Sequence, residues 1–194
     1  FIEMDGEYLP HLTFLAVLED MGYSFSDIEI IPGEEIIISE NLKVPLEEDS
    51  SMLVDYPAPW GKAFRHYSYV DIIQSYLAGV MGKETSMDLK ELEGTVALVG
   101  MTATASPDAH PSPMEPMYPG IGVHASLYNS MVKGVFLKRL DRWWNLLILV
   151  VMWILTAYVT TKSRKRFAIL SILLITGGYT LLAAALFVFS GLWI

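Results

Sequence analysis

The chain has 194 residues, no cysteine and a hydrophobic fraction of 53%, and its 13 basic against 22 acidic residues give a formal charge of −9. An acid excess disfavours nucleic-acid binding, and the lack of thiols removes disulfide scaffolds, thiolate zinc sites, iron–sulfur clusters and cysteine nucleophiles. The charge is uneven: residues 1–60 hold 14 acids against the single base Lys43, whereas residues 143–194 hold four bases and no acid. The sequence opens on Phe1 with no basic, apolar leader, which predicts a fragment or a processed product.

Along the chain, Leu9, Leu12, Leu15, Ala16 and Leu18 form one stripe of a helix predicted over 8–21, with Pro10 in its first turn and Gly22 as its stop. Short apolar runs at 28–31, 35–38 and 51–56, separated by Pro32-Gly33 and acidic stretches, read as strands. Ser68 and Asp71 make a capping-box-like start for a second helix that continues through Ile72, Ile73, Tyr76, Leu77 and Val80 to Gly82. After an acidic helical turn at 89–92, Gly94 releases the near-continuous apolar run 95–100, the pattern of a central, parallel strand covered on both faces. A proline-rich loop over 101–119 follows, and a helix over 121–135 carries His124 and Asn129 toward Trp143.

The membrane segments are clearest. Residues 143–161 are uncharged, roughly 28 Å as a helix, and 167–190 form a second uncharged run long enough to cross a bilayer with some tilt. Trp143 and Trp144 at the start and Tyr158 near the end of the first run occupy interface positions. Lys162, Arg164, Lys165 and Arg166 lie between the runs, and each at bilayer depth would cost about 3 kcal/mol, so this loop belongs in water. The positive-inside rule places it in the cytoplasm, against a competing set of Lys133, Lys138, Arg139 and Arg142 before the first run. Neither run contains an ionisable residue, which argues against a proton relay or ion path.

The expected architecture is an α/β extracytoplasmic domain with one mainly parallel or mixed sheet, followed by two transmembrane α-helices. Its divisions are a sensory domain over 1–140, spans over 143–161 and 167–190, and a cytoplasmic loop over 162–166.

The loop after a parallel strand is where an open α/β sheet builds binding sites. Thr102, Thr104, Asp108, His110 and His124 are therefore the candidate ligand-binding residues. Asp108, His110 and His124 have metal-ligand chemistry, but an aspartate in a proline-rich turn also caps its own loop, and a histidine after a glycine turn also bonds a helix start. No metal or cofactor is assigned. Ser106 and the threonines lack any motif that sets a base beside a hydroxyl, so no enzymatic activity is expected. Gly120 and Gly122 do not follow the dinucleotide-binding spacing, and Glu47-Glu48-Asp49 matches no calcium loop. Trp60 between Pro59 and Gly61 either meets a partner or packs under a turn.

The residue order is also familiar: Tyr8-Leu-Pro10, Pro45-Leu46, Asp55-Tyr56, Phe64 with Tyr67-Ser68, and Leu92-Glu-Gly94-Thr-Val96 running to Gly100. Val99-Gly100-Met-Thr-Ala103, then Asp108, Pro111 or Pro113, and Pro119-Gly120-Ile-Gly-Val-His124-Ala125 are the most specific stretches. The sequence resembles the CHASE sensory domain family, type two, over most of residues 8–140. The resemblance implies an extracytoplasmic sensor followed by several membrane helices and joined to an intracellular cyclase or kinase. It also resolves the tied charge count by placing residues 1–142 outside. The departures are that no membrane segment precedes the domain and that two spans are present where the family has a further crossing before its output domain, which predicts an excised or incomplete receptor. The expected partners are the lipid bilayer, an extracytoplasmic ligand or protein, and a homodimer or larger membrane assembly. A non-signalling accessory subunit docked on a larger membrane complex is the alternative, with an extracytoplasmic hydrolase behind it.

Overall fold

The computed structural model describes residues 2–4, 7–102, 108–162 and 165–193. Strands β1 (Ile2–Met4) and β2 (Glu7–Leu9) precede helix α1 (Leu12–Met21), and a 3-10 turn leads to strands β3 (Glu29–Ile31), β4 (Glu35–Ser39) and β5 (Leu42–Pro45). Helices α2 (Trp60–Ala63) and α3 (Tyr69–Val80) follow, then a second 3-10 turn (Leu89–Leu92), β6 (Ala109–His110), β7 (Tyr118–Pro119) and helix α4 (Gly120–Lys133). Strand β8 (Lys138–Arg139), helices α5 (Arg142–Lys162) and α6 (Lys165–Ser190), and strand β9 (Leu192–Trp193) come last. The chain divides into two compact units, Phe1–Tyr23 with Val54–Val132, and Ser24–Leu53 with Lys133–Ile194.

The expected single, mainly parallel sheet is absent among the described residues. β1–β2, β3–β4–β5 and β6–β7 are separate antiparallel sheets, and β8–β9 is a parallel pair. The connections explain the direction: Pro32 to Glu34 joins β3 to β4 and Glu40-Asn41 joins β4 to β5, far too short for the crossover that a parallel pair needs. The run 95–100, expected as the central strand, carries no ladder, with Val96, Leu98 and Val99 exposed. The next ladder in sequence, β6–β7, is two residues on each side and ends on Pro119, which has no amide to donate. The run 51–56 likewise carries no strand.

In the first unit, α1 starts at Leu12 rather than at residue 8 because Leu9 is committed to the hairpin opposite Ile2. Its buried face is Thr13, Phe14, Val17 and Leu18, so of the predicted stripe Leu18 is buried as expected, while Leu9, Leu12 and Leu15 are exposed. Gly22 ends the helix as expected, left-handed at φ 74°, with the Tyr23 amide reaching back to Leu18 O at 2.8 Å. α3 begins at Tyr69 with the Ser68 hydroxyl accepting the Asp71 amide, as the capping pattern predicted. α4 carries buried Gly120, Gly122, Ser126, Ser130 and Met131.

In the second unit, the β3–β4–β5 meander buries Ile36, Ile38, Leu42 and Val44, alternate positions that place one face of the sheet in a small core. α5 and α6 bury no described side chain and are long and apolar enough to cross a membrane. The Asp141 carboxylate accepts the Trp143 amide at 2.8 Å and starts α5. The Lys138 amide donates to Gly191 O at 2.9 Å and the Leu140 amide to Trp193 O at 2.8 Å, so the chain leaving α6 is pinned beside the chain entering α5.

Candidate functional site

The start of α4 gathers most of the sequence-predicted residues of the first unit. β6 and β7 pair Ala109 with Pro119 and His110 with Tyr118, and the Gly120 amide donates to Asp108 O at 2.7 Å, which fixes where the helix begins. Without a side chain, Gly120 lets the Asp108 carboxylate lie against its Cα: a Cβ there would meet Asp108 Oδ2 at 2.5 Å. The positive end of α4 favours that carboxylate. Gly122 similarly admits two rings, since a Cβ there would stand 2.5 Å from Tyr118 Cε1 and 2.8 Å from Trp60 Cε3. Gly100, at the end of the run 95–100, passes close to Ile121, whose Cβ would lie 2.9 Å from an added methyl.

Trp60 packs rather than standing free. Its ring meets Tyr118 edge-on at 6.0 Å, lies 4.1 Å from His66, and its amide donates to Glu115 Oε1 at 3.0 Å. Tyr118 is fully buried, with Tyr56 edge-on at 4.9 Å and its hydroxyl 3.4 Å from that of Ser126, which donates to Gly122 O at 2.8 Å. Burial first, and Tyr118 second, push the Tyr56 phenol above its ordinary value.

The five candidate ligand residues do not converge. Asp108 lies against the helix start, His110 is exposed on β6, Thr102 is exposed beyond Gly100, and Thr104 lies outside the described residues. Among the described residues no group of three metal-ligating side chains forms. His124 instead meets α1: its Nδ1 is 2.7 Å from the Thr13 hydroxyl, across 111 positions of sequence, and its ring stacks on His11 with centroids 5.0 Å apart and planes 19° from parallel. His11 is held below its ordinary value by burial first and by the charge of His124 second. One face further along, the Tyr128 hydroxyl donates to Asp20 at 2.5 Å, and burial followed by that bond raises its phenol to about 12. His11, Thr13 and Asp20 were not singled out from the sequence. No local pattern marks them, because their partners lie more than 100 positions away in the sequence.

The second unit has its own joint. Arg139 on β8 bonds Glu47 at 3.5 Å and lies over the Trp193 ring at 5.1 Å. The Glu47–Asp49 turn is closed by its own bonds, with Ser50 N donating to Glu47 O at 2.7 Å and Ser51 N to Asp49 Oδ1 at 2.9 Å. The Ser51 side chain and amide hold the Asp49 carboxyl below its usual range. Trp143, Trp144 and Tyr158 are exposed on α5, Lys162 ends α5, and Lys165 and Arg166 begin α6; Arg164 lies outside the described residues.

Compared with known families, the sequence profile of the CHASE2 domain matches residues 2–159, and the chain belongs to that family of extracytoplasmic sensor domains of signalling proteins. Comparison with curated proteins finds no match, nor does comparison with solved structures.

Proposed function

We propose that this CHASE2-family chain is the extracytoplasmic sensor and membrane-anchor portion of a multi-pass signalling receptor of the inner membrane, regulating a separate cytoplasmic adenylate or guanylate cyclase or kinase. In this reading residues 1–140 lie outside, 143–161 and 167–190 cross the bilayer, and 162–166 form a cytoplasmic loop. The observation that carries it is that the family match runs without a break from the outer domain into α5, as far as residue 159. A sensor domain continuous with an apolar, uncovered helix has a direct covalent route to the membrane. α4 supplies that route: it ends at Lys133, Gly134 turns at φ 64°, and α5 begins at Arg142.

The absence of cysteine allows a clean topology test. With a membrane-impermeant maleimide, Ser50→Cys should label in intact cells and Ser163→Cys only after lysis. The reverse pattern would overturn the orientation. In the full receptor, altering residues 101–125 should change regulated cyclase or kinase output, and unchanged regulation would sink the signalling role in favour of an accessory subunit.

A further inference from the structure

α1 and α4 meet through two imidazoles. The rings of His11 and His124 are nearly parallel with centroids 5.0 Å apart, and the Thr13 hydroxyl, itself buried, bonds His124 Nδ1 at 2.7 Å. Such a stack is compatible with two neutral rings or with one neutral and one charged ring. A second proton sets two like charges face to face in a half-buried contact. His11 is also the N-cap residue of α1 and its side chain caps no amide, so its ring stands at the positive end of a helix, which opposes a cation there.

The other charged and titratable groups around the contact are placed as follows. Glu19 and Asp20 lie in the last turn of α1, with Asp20 bonded by Tyr128 of α4; Lys133 ends α4. Asp108 lies against Gly120 one helical turn before His124, Glu115 takes the Trp60 amide, and Glu7 belongs to β2 just ahead of His11.

We propose that the stacked His11–His124 pair, tied through Thr13, is an acid-sensitive clasp between α1 and α4, making the proton a ligand of the outer domain. The proposal rests on the sensor reading above and names a stimulus for it. The direction follows from linkage. The folded value of His11 lies below 6.5, so the closed contact binds fewer protons than the open one; the clasp is whole above pH 6.5 and is lost as pH falls below that, through the lower folded value.

The test is amide hydrogen exchange on the full chain in lipid nanodiscs at about pH 7.5 and about pH 5.5, corrected for intrinsic exchange. In the wild type, protection of the α1 amides falls severalfold at the acid pH. His11→Gln keeps the protection at the higher pH and abolishes the fall. Because His124→Gln also loses the Thr13 bond and can disturb folding, ring carbon–proton spectra of the wild type give a second readout, in which the His11 signal titrates below the ordinary histidine value. An equal fall in His11→Gln, or no fall in the wild type, or a His11 signal that titrates at the ordinary histidine value, overturns the clasp. The maleimide labelling of Ser163→Cys is indifferent to these histidines, so failure of the receptor reading and failure of the clasp are separately visible.

Discussion

At the level of single residues, the glycines and one tyrosine around α4 make the sharpest demands. Gly122 is occupied on both sides by Tyr118 and Trp60, and a methyl there lies within 2.5 and 2.8 Å of ring carbons that are themselves packed. Gly122→Ala should therefore cost about 1–3 kcal/mol by overpacking, read as a lower midpoint in thermal unfolding of the detergent-solubilised chain, while Gly177→Ala, with open space around it, should leave it unchanged. Tyr128 makes a different kind of claim. Its phenol, raised by burial and then by Asp20 from 10.0 to about 12, contributes stability that is whole below pH 10 and lost as pH rises through the folded value. A tyrosinate absorbance titration should show, besides the raised Tyr56, a late-ionising phenol that vanishes in Tyr128→Phe. In Asp20→Asn the same phenol should ionise earlier, and an unchanged late phase would remove Asp20 from the cause.

Among the elements, α1 shows how local and distant information divide. Its end was legible because the requirement is local: Gly22 sits at φ 74° with open space around its Cα. Gly22→Ala should cost about 1 kcal/mol through backbone strain alone, measurable as a midpoint shift, and a neutral result would mean the helix end simply frays. Its start and its buried face were not legible. Leu9, Leu12 and Leu15 of the stripe were apolar enough to bury, yet the hairpin claimed Leu9, and Thr13, which bonds His124 of α4, is buried together with Phe14, Val17 and Leu18. The run 95–100 failed for the same reason. Its composition is that of a covered strand, but pairing depends on a neighbour, and β6 and β7 are too short and too proline-bound to supply one. The apolar helices were legible nearly to the residue, α5 and α6 matching the uncharged runs, because length and charge exclusion in lipid require no partner. The candidate site was half legible: the glycine–histidine stretch pointed to the start of α4, but not to His11 and Thr13, which complete it from α1.

On the scale of the chain, what ties the two ends of the helical hairpin together is a pair of two-residue strands, and it has a single weak point. β8 and β9 place Lys138 opposite Leu192 and Arg139 opposite Trp193, with Arg139 reaching both the Trp193 ring and Glu47 beyond the meander. Glu47–Arg139 is a half-exposed pair worth no more than about 1 kcal/mol, so it cannot hold the joint unaided; the two backbone bonds across β8–β9 must share the load. Those bonds depend on Gly191, which turns the chain at φ 64° and lies where a Cβ would stand 2.9 Å from Phe136 O. A chain carrying Lys138→Cys and Leu192→Cys should form an intramolecular disulfide readily on mild oxidation, since paired strands run about 5 Å apart. Adding Gly191→Ala should slow that cross-link several-fold and raise exchange at the Lys138 and Leu140 amides, whereas adding Glu47→Gln should change the rate less than twofold. If Glu47→Gln slows the cross-link as much as Gly191→Ala does, the ion pair rather than the backbone closes the hairpin, and the segment after the meander bears directly on the joint between α5 and α6.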